Sequence, residues 1–198
     1  MQITTQDKHS DVIIAELKIS RDRIAALIGI NGKTKKRIEK LTETNLEIDS
    51  KEGEVIIKGD DGLKIYETKE VIKAIGRGFN PETALKLLDM TYNLEVIKIS
   101  DYANSKNSEI RLKGRLIGTN GKTRRAIEGL TESYVSIYGK TISIIGRIES
   151  SNIAKRAVIM ILQGAPHSTA YNWMERKRKT LKRMEFELMN ETDDGKET

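Results

Sequence analysis

Two stretches of the chain carry residues whose types and spacing could do chemistry: IGINGKT at 28–34 and IGTNGKT at 117–123, each ending in Gly-Lys-Thr. A Gly-Lys-Thr that opens a helix holds nucleotide phosphates in P-loop enzymes. It does so only when another glycine, five positions before the one preceding the lysine, lets a wide backbone loop wrap the phosphates. Those positions here are Leu27 and Leu116, so both loops are too short and apolar at their upstream ends. Other chemistry-bearing residues are sparse. There are no cysteines, which removes disulfides, thiolate zinc sites and cysteine nucleophiles, and the only histidines are His9 and His167. Neither a carboxylate cluster suited to Mg²⁺ nor a histidine pair is visible, so no catalytic residue, metal or cofactor is expected.

The two stretches belong to a larger repeat. The segment 28–48 lies over 117–137 without a gap and with more than half of the positions identical, and EVIIKG (54–59) lies over TISIIG (141–146). Ala15–Ser20 and Leu94–Ser100 alternate apolar and polar residues as half-buried strands do. Ile24, Leu27 and Ile28, and then Ile110, Leu112, Leu116 and Ile117, place an apolar stripe on a short helix that ends at a glycine. A second helix follows, with Thr34, Ile38 and Leu41, or Thr123, Ile127 and Leu130, on one face. Two strands and a third helix (63–76 and 152–162) close each unit. The predicted order is strand, helix, helix, strand, strand, helix, twice. Residues 79–93 read as a bridge with a short helix capped by Asn80 with Pro81 at its first position, packed so that the units keep a fixed angle. Asp60-Asp61 reads as turn and cap chemistry, Tyr171 and Trp173 as packing anchors, and His167 as a turn residue.

Two glycines separated by two residues make a sharp corner between helices. Their lack of side chains allows positive φ and lets a ligand backbone approach, while the next helix offers unpaired N–H groups and a dipole that favour an anion. The residues so placed are Gly118, Thr119, Asn120, Gly121 and Lys122 in the second copy, and Gly29, Ile30, Asn31, Gly32 and Lys33 in the first. Lys35, Arg124 and Arg125 follow on the helix, and Lys113 and Arg115 precede the second corner. A phosphate on such a corner meets backbone donors first and cations second, and the bases turn into the groove beside the neighbouring strand. This is the arrangement of the KH module, whose GxxG loop clamps a four-nucleotide single strand.

The two GxxG units, GRGFNPETALKLL (76–88) and GAPHSTAYNWMERKRK (164–179) resemble the archaeal double-KH proteins related to the eukaryotic small-subunit pre-ribosome factor called the partner of Nob. The resemblance implies an α+β fold of two tandem type I KH domains with a basic C-terminal helix. The boundaries are 11–78 and 94–165 for the KH domains, 79–93 for the bridge, 166–189 for the helix and 190–198 for an acidic, frayed tail. It further implies a non-catalytic assembly factor that binds single-stranded RNA near the 3′ end of small-subunit ribosomal RNA, with the second KH unit as main reader. Ribosome-assembly or translation-factor proteins are the implied partners, and a KH-containing docking subunit such as an exosome cap is the alternative. The first unit keeps a complete corner as well, so it is carried as a second site.

Composition agrees with a polyanionic partner: 35 Lys+Arg against 29 Asp+Glu give a net charge of +6, and ERKRKTLKR (175–183) could extend a phosphate track. No apolar run is long enough to span a membrane and the N-terminus lacks an apolar signal region, so a soluble, cytoplasmic protein is expected. A monomer is the expected state.

Overall fold

The computed structural model describes residues 12–194, and the chain divides into two compact units between Leu88 and Asp89. His9, Asp11 and residues 195–198 lie outside the described residues. The first unit runs β1 (Ile13–Lys18), α1 (Arg21–Ile28), a 3₁₀ turn (Ile30–Gly32), α2 (Lys33–Thr42), β2 (Asn45–Asp49), β3 (Glu54–Gly59) and α3 (Gly62–Gly76). Short α4 (Pro81–Ala84) and a second 3₁₀ turn (Leu85–Leu88) complete it. The second unit repeats the order with β4 (Tyr92–Lys98), α5 (Lys106–Ile117), a 3₁₀ turn (Thr119–Gly121), α6 (Lys122–Thr131), β5 (Tyr134–Tyr138), β6 (Thr141–Arg147) and α7 (Ile148–Leu162). It ends in a long α8 (His167–Asp194).

Each unit has a three-stranded antiparallel sheet, ordered β1-β3-β2 and β4-β6-β5. The last strand of each unit therefore lies in the middle, and β2 and β5 are edges that follow directly on α2 and α6. Residues of one parity line up across the strands toward the helices: Leu17, Val55 and Ile48 in one row, Ala15, Ile57 and Leu46 in the next. The second sheet matches this with Ile97, Ile142 and Ile137. Ile142 and Ile144 join Leu112, Leu116, Ile127, Ala154, Val158 and Ile161 in the second core. Fully burying one such aliphatic side chain contributes about 1.5–3 kcal/mol, so these rows rather than surface pairs hold the sheet to its helices.

The inward face of the helix after each corner is centred on threonine rather than on leucine, although Leu130 packs partly buried against the second core as expected. Thr42 and Thr131 are buried while Leu41 is exposed, because the inward row is a strict i, i+4 series, 34-38-42 and 123-127-131. The threonine hydroxyls are satisfied there. Thr42 Oγ1 donates to the Ile38 carbonyl at 2.9 Å and Thr131 Oγ1 to that of Ile127 at 2.8 Å, and each also bonds the hydroxyl two residues on, Thr44 or Ser133. Ile110 and Ile117, expected on the inner stripe of α5, are also exposed; Leu112 and Leu116 carry the packing alone.

The repeat extends further than the sequence comparison reached. Gly78 to Ala84 lies over Gly164 to Ala170, and Ala84 and Ala170 are both fully buried. The segment read as a bridge thus packs on α3 as the first unit's shortened counterpart of the start of α8, with Asn80 capping α4 by accepting from Thr83 N at 2.7 Å. Asp61 likewise caps α3, accepting from Leu63 N at 2.8 Å. In α8, Ala170 and Met174 are buried and Tyr171 and Trp173 pack against the second core. His167 is not a turn residue: it opens α8, with Nε2 2.9 Å from the Arg115 carbonyl. The helix continues through Asn190 to Asp194, into the stretch expected to be a frayed tail.

Candidate nucleic-acid interface

The two corners have the same backbone. Gly29 and Gly118 sit at φ 71°, ψ 176° and φ 70°, ψ 174°, Asn31 and Asn120 at φ 53° and 51°, and Gly32 and Gly121 at φ 75°. Asparagine is among the few residues that enter the left-handed region readily, which accounts for its place before each second glycine. The first glycine is closed from behind. A Cβ on Gly29 would lie 2.2 Å from Thr34 Oγ1, and one on Gly118 would lie 2.3 Å from Thr123 Oγ1. The threonine of each Gly-Lys-Thr therefore fills the inside of the corner, which is why a stretch that cannot cradle a nucleotide still looks like part of a P-loop. The second glycine is open in front. Nothing lies within 4 Å of a Cβ on Gly32, and only the Arg125 guanidinium, at 3.6 Å, approaches one on Gly121.

At the corner the chain also exposes donors. Gly32 and Gly121 are the N-cap residues of α2 and α6 and neither helix start has a capping side chain; the Lys33 and Lys122 N–H groups bond back to the carbonyls of Ile30 and Thr119, which leaves the later first-turn N–H groups without a side-chain cap. Lys33 and Lys122 are exposed, as are Ile30, at 80%, Thr119 and Asn120. No ion pair among the described residues engages Lys33, Lys122 or Arg125.

Three of the predicted cations have other engagements. Arg115 donates through Nη2 to the Ala165 carbonyl at 2.7 Å, tying α5 to the segment before α8. Arg124 lies 3.8 Å from Glu128, and Lys35 lies 3.7 Å from Glu39. The approach to the first corner is similarly occupied: Arg23 donates to the carbonyls of Ile75 at 2.8 Å and Phe79 at 2.6 Å, and Arg21 lies 3.7 Å from Glu52. Arg111 and Lys113, before the second corner, have no ion pair among the described residues, so the approach to the second corner keeps two cations that the approach to the first lacks. On α8, Arg178 reaches Glu132 at 3.2 Å, which removes one cation of the basic run from any phosphate track.

Sequence reasoning missed Glu39 and Glu128. Their Oε1 atoms accept from the backbone N–H of Leu46 at 2.8 Å and of Val135 at 2.9 Å, joining the helix after the corner to the edge strand. The signal was present as an acid at the same register of two otherwise basic helices. No cluster of three or more metal-ligating side chains occurs among the described residues, and no described helix is long and apolar enough to cross a membrane.

Comparison with known proteins agrees with this geometry. A model of the eukaryotic-type KH domain (KH type I), for the second KH domain of the partner of Nob, matches residues 93–179, and a general KH-domain model matches 14–75. A KH domain-containing protein of Methanocaldococcus jannaschii is 49% identical over 96% of this chain and 83% of its own length. Among solved structures, Dim2p from Pyrococcus horikoshii is 42% identical with a TM-score of 0.77, over 83% of this chain and 99% of its own. A protein of unknown function from Aeropyrum pernix is 34% identical with a TM-score of 0.84, over 89% and 96%. A chain from the Pyrococcus complex of a/eIF2alpha, aDim2p and rRNA is 41% identical with a TM-score of 0.81, over 87% and 98%. With a relative this close along nearly its whole length and KH matches over both units, the chain belongs to the archaeal double-KH family of the Dim2p and partner-of-Nob type.

Proposed function

We propose that the chain is a non-catalytic factor of small-subunit ribosome assembly that binds single-stranded RNA near the 3′ end of small-subunit ribosomal RNA, mainly through its second corner. The observation that carries the reading is the pair of superimposable corners, each closed behind by threonine and open in front at the second glycine, with an exposed lysine beside it. The second corner has polar Thr119 where the first has Ile30, and Arg125, Arg111 and Lys113 remain to meet phosphates. The complex of a/eIF2alpha, aDim2p and rRNA among its structural neighbours supports both the class of RNA and a translation-factor partner. A monomer in the cytoplasm completes the proposal.

Crosslinking in cells followed by sequencing of the bound RNA tests this. Enrichment of small-subunit ribosomal RNA near its 3′ end is the expected result. Enrichment of messenger RNAs instead would overturn the assembly role and leave the KH reading standing.

A further inference from the structure

An acid on the wall of an RNA groove is anomalous, because it repels the phosphates that the neighbouring cations attract. Both copies nonetheless place one at the same point. Glu128 stands six residues after Lys122 on α6, about 9 Å along the helix axis, which is within reach of the four-nucleotide span of a KH clamp. Its Oε1 accepts from Val135 N, and that N–H lies on the open edge of β5, since the other edge pairs with β6. Arg124 Nε stands 3.8 Å from Oε2, too far for a hydrogen bond, so it steadies the second oxygen without occupying it. The carboxylate is 26% exposed, and a carboxylate has about four acceptor positions, of which the strand uses one. Glu39 repeats the arrangement with Leu46, Lys35 and 21% exposure.

We infer that Glu128, and Glu39 in the first groove, determine base specificity: the oxygen left over from the strand accepts a hydrogen bond from the exocyclic amine of a nucleobase and disfavours uracil at that position. This rests on the RNA-binding reading above. Cytosine and adenine present an amine, and guanine presents an amine beside its ring N–H, whereas the Watson–Crick edge of uracil carries two carbonyl oxygens around one N–H. A carbonyl set against a carboxylate is an acceptor facing an acceptor. Pinning by the edge strand fixes the carboxylate in the direction that makes this discrimination possible, and the i−4 cation offsets its charge against the RNA backbone.

The test uses a pool of single-stranded RNAs with about four randomised nucleotides between fixed ends. It is bound to the full chain carrying Ile30→Asp and Asn31→Asp, so that the second groove alone reports. The expected result is depletion of uracil at one position by about tenfold, the lower end of the contribution of a hydrogen bond to a charged group. Glu128→Gln retains an acceptor for Val135 N and adds an amide donor, so uracil returns at that position as the amine-bearing bases lose their advantage there. Trp173 fluorescence in urea verifies that the variant is folded. Recovery of RNA with no uracil bias overturns this inference alone, as does a variant that weakens every sequence equally, which would make Glu128 a pin for the strand. Failure of the protein with both corners native to recover any RNA overturns the RNA-binding reading and this one with it.

Discussion

The two glycines of the second corner should respond differently to the same added methyl group. At Gly121, alanine meets only the far end of Arg125, at 3.6 Å, so the cost is that of a left-handed residue, about 1–2 kcal/mol. The lost freedom of the unfolded chain returns about 0.4–1 kcal/mol, leaving a net loss near 1 kcal/mol. At Gly118, with φ 70° and ψ 174°, the conformation belongs almost solely to glycine and costs alanine about 1–3 kcal/mol. There the Cβ would also lie 2.3 Å from Thr123 Oγ1 and 2.8 Å from Thr123 N. Overpacking of that kind adds about 1–3 kcal/mol, so Gly118→Ala should lose about 2–5 kcal/mol in all. The chain has one tryptophan, Trp173, packed on the second core, so its fluorescence in urea reports this unit. The midpoints of the two variants should differ by about 1 M. Adding Thr123→Ala to Gly118→Ala should recover only part of the loss, because the backbone nitrogen remains in place. In RNA binding Gly121→Ala should be the informative variant, since it folds but puts a methyl on the open face. Equal destabilisation by the two alanines would refute the picture of a corner closed behind one glycine and open before the other.

Thr119→Asp with Asn120→Asp should weaken RNA binding by more than about 2 kcal/mol, as charge-assisted bonds give way to repulsion. Ile30→Asp with Asn31→Asp should cost distinctly less, and filter-binding titrations with circular dichroism decide the order. Arg115→Ala should lower the Trp173-reported stability by about 1–3 kcal/mol through the orphaned Ala165 carbonyl, with RNA affinity changing little once the protein is folded. Two to four available cations at about −0.7 each predict a slope of log K against log salt of roughly −1.4 to −2.8. A slope steeper than about −5, reduced by replacing Arg176, Lys177 and Arg178 together with alanine, would shift the weight to α8. The Asp49 carboxyl is held below its ordinary value by the N–H groups of Glu52 and Lys51, so its contribution is present above the ordinary carboxylate pKa and lost as pH falls through the lowered one. Asp49→Asn should flatten the acid limb of first-unit stability, measured by hydrogen exchange between β2 and β3.

The duplication made the topology legible, because an element read weakly in one copy was read again in the other. Leu41 and Thr42 show where hydropathy misled. The leucine outranks the threonine as a core residue, but helix phase decides, and a threonine that bonds its own i−4 carbonyl can be buried at little cost. The corner was legible from its glycines, whereas the role of its threonine required the position of an absent Cβ. Charge counting overrated Arg115, since nothing in the order of residues says that its guanidinium meets a carbonyl fifty residues away. Glu128 is illegible for the converse reason: a single carboxylate on a basic helix gives no sign in the sequence that it meets the N–H of a strand edge.

Arg23 and Arg115 end on equivalent carbonyls, those of Phe79 and Ala165, but start from different turns of their helices. In the aligned repeat Arg23 falls opposite Leu112, and Arg115 falls opposite Ala26. The two halves thus reach the same anchorage by separate routes, and each route is written in only one of them. A hybrid in which one first helix replaced the other would keep the corner, yet it would set Lys113 where Ile24 is buried or Arg23 where Leu112 is buried, and bring its guanidinium in one turn away from the carbonyl it must hold. Halves that still trace the same path have ceased to be spare parts for each other.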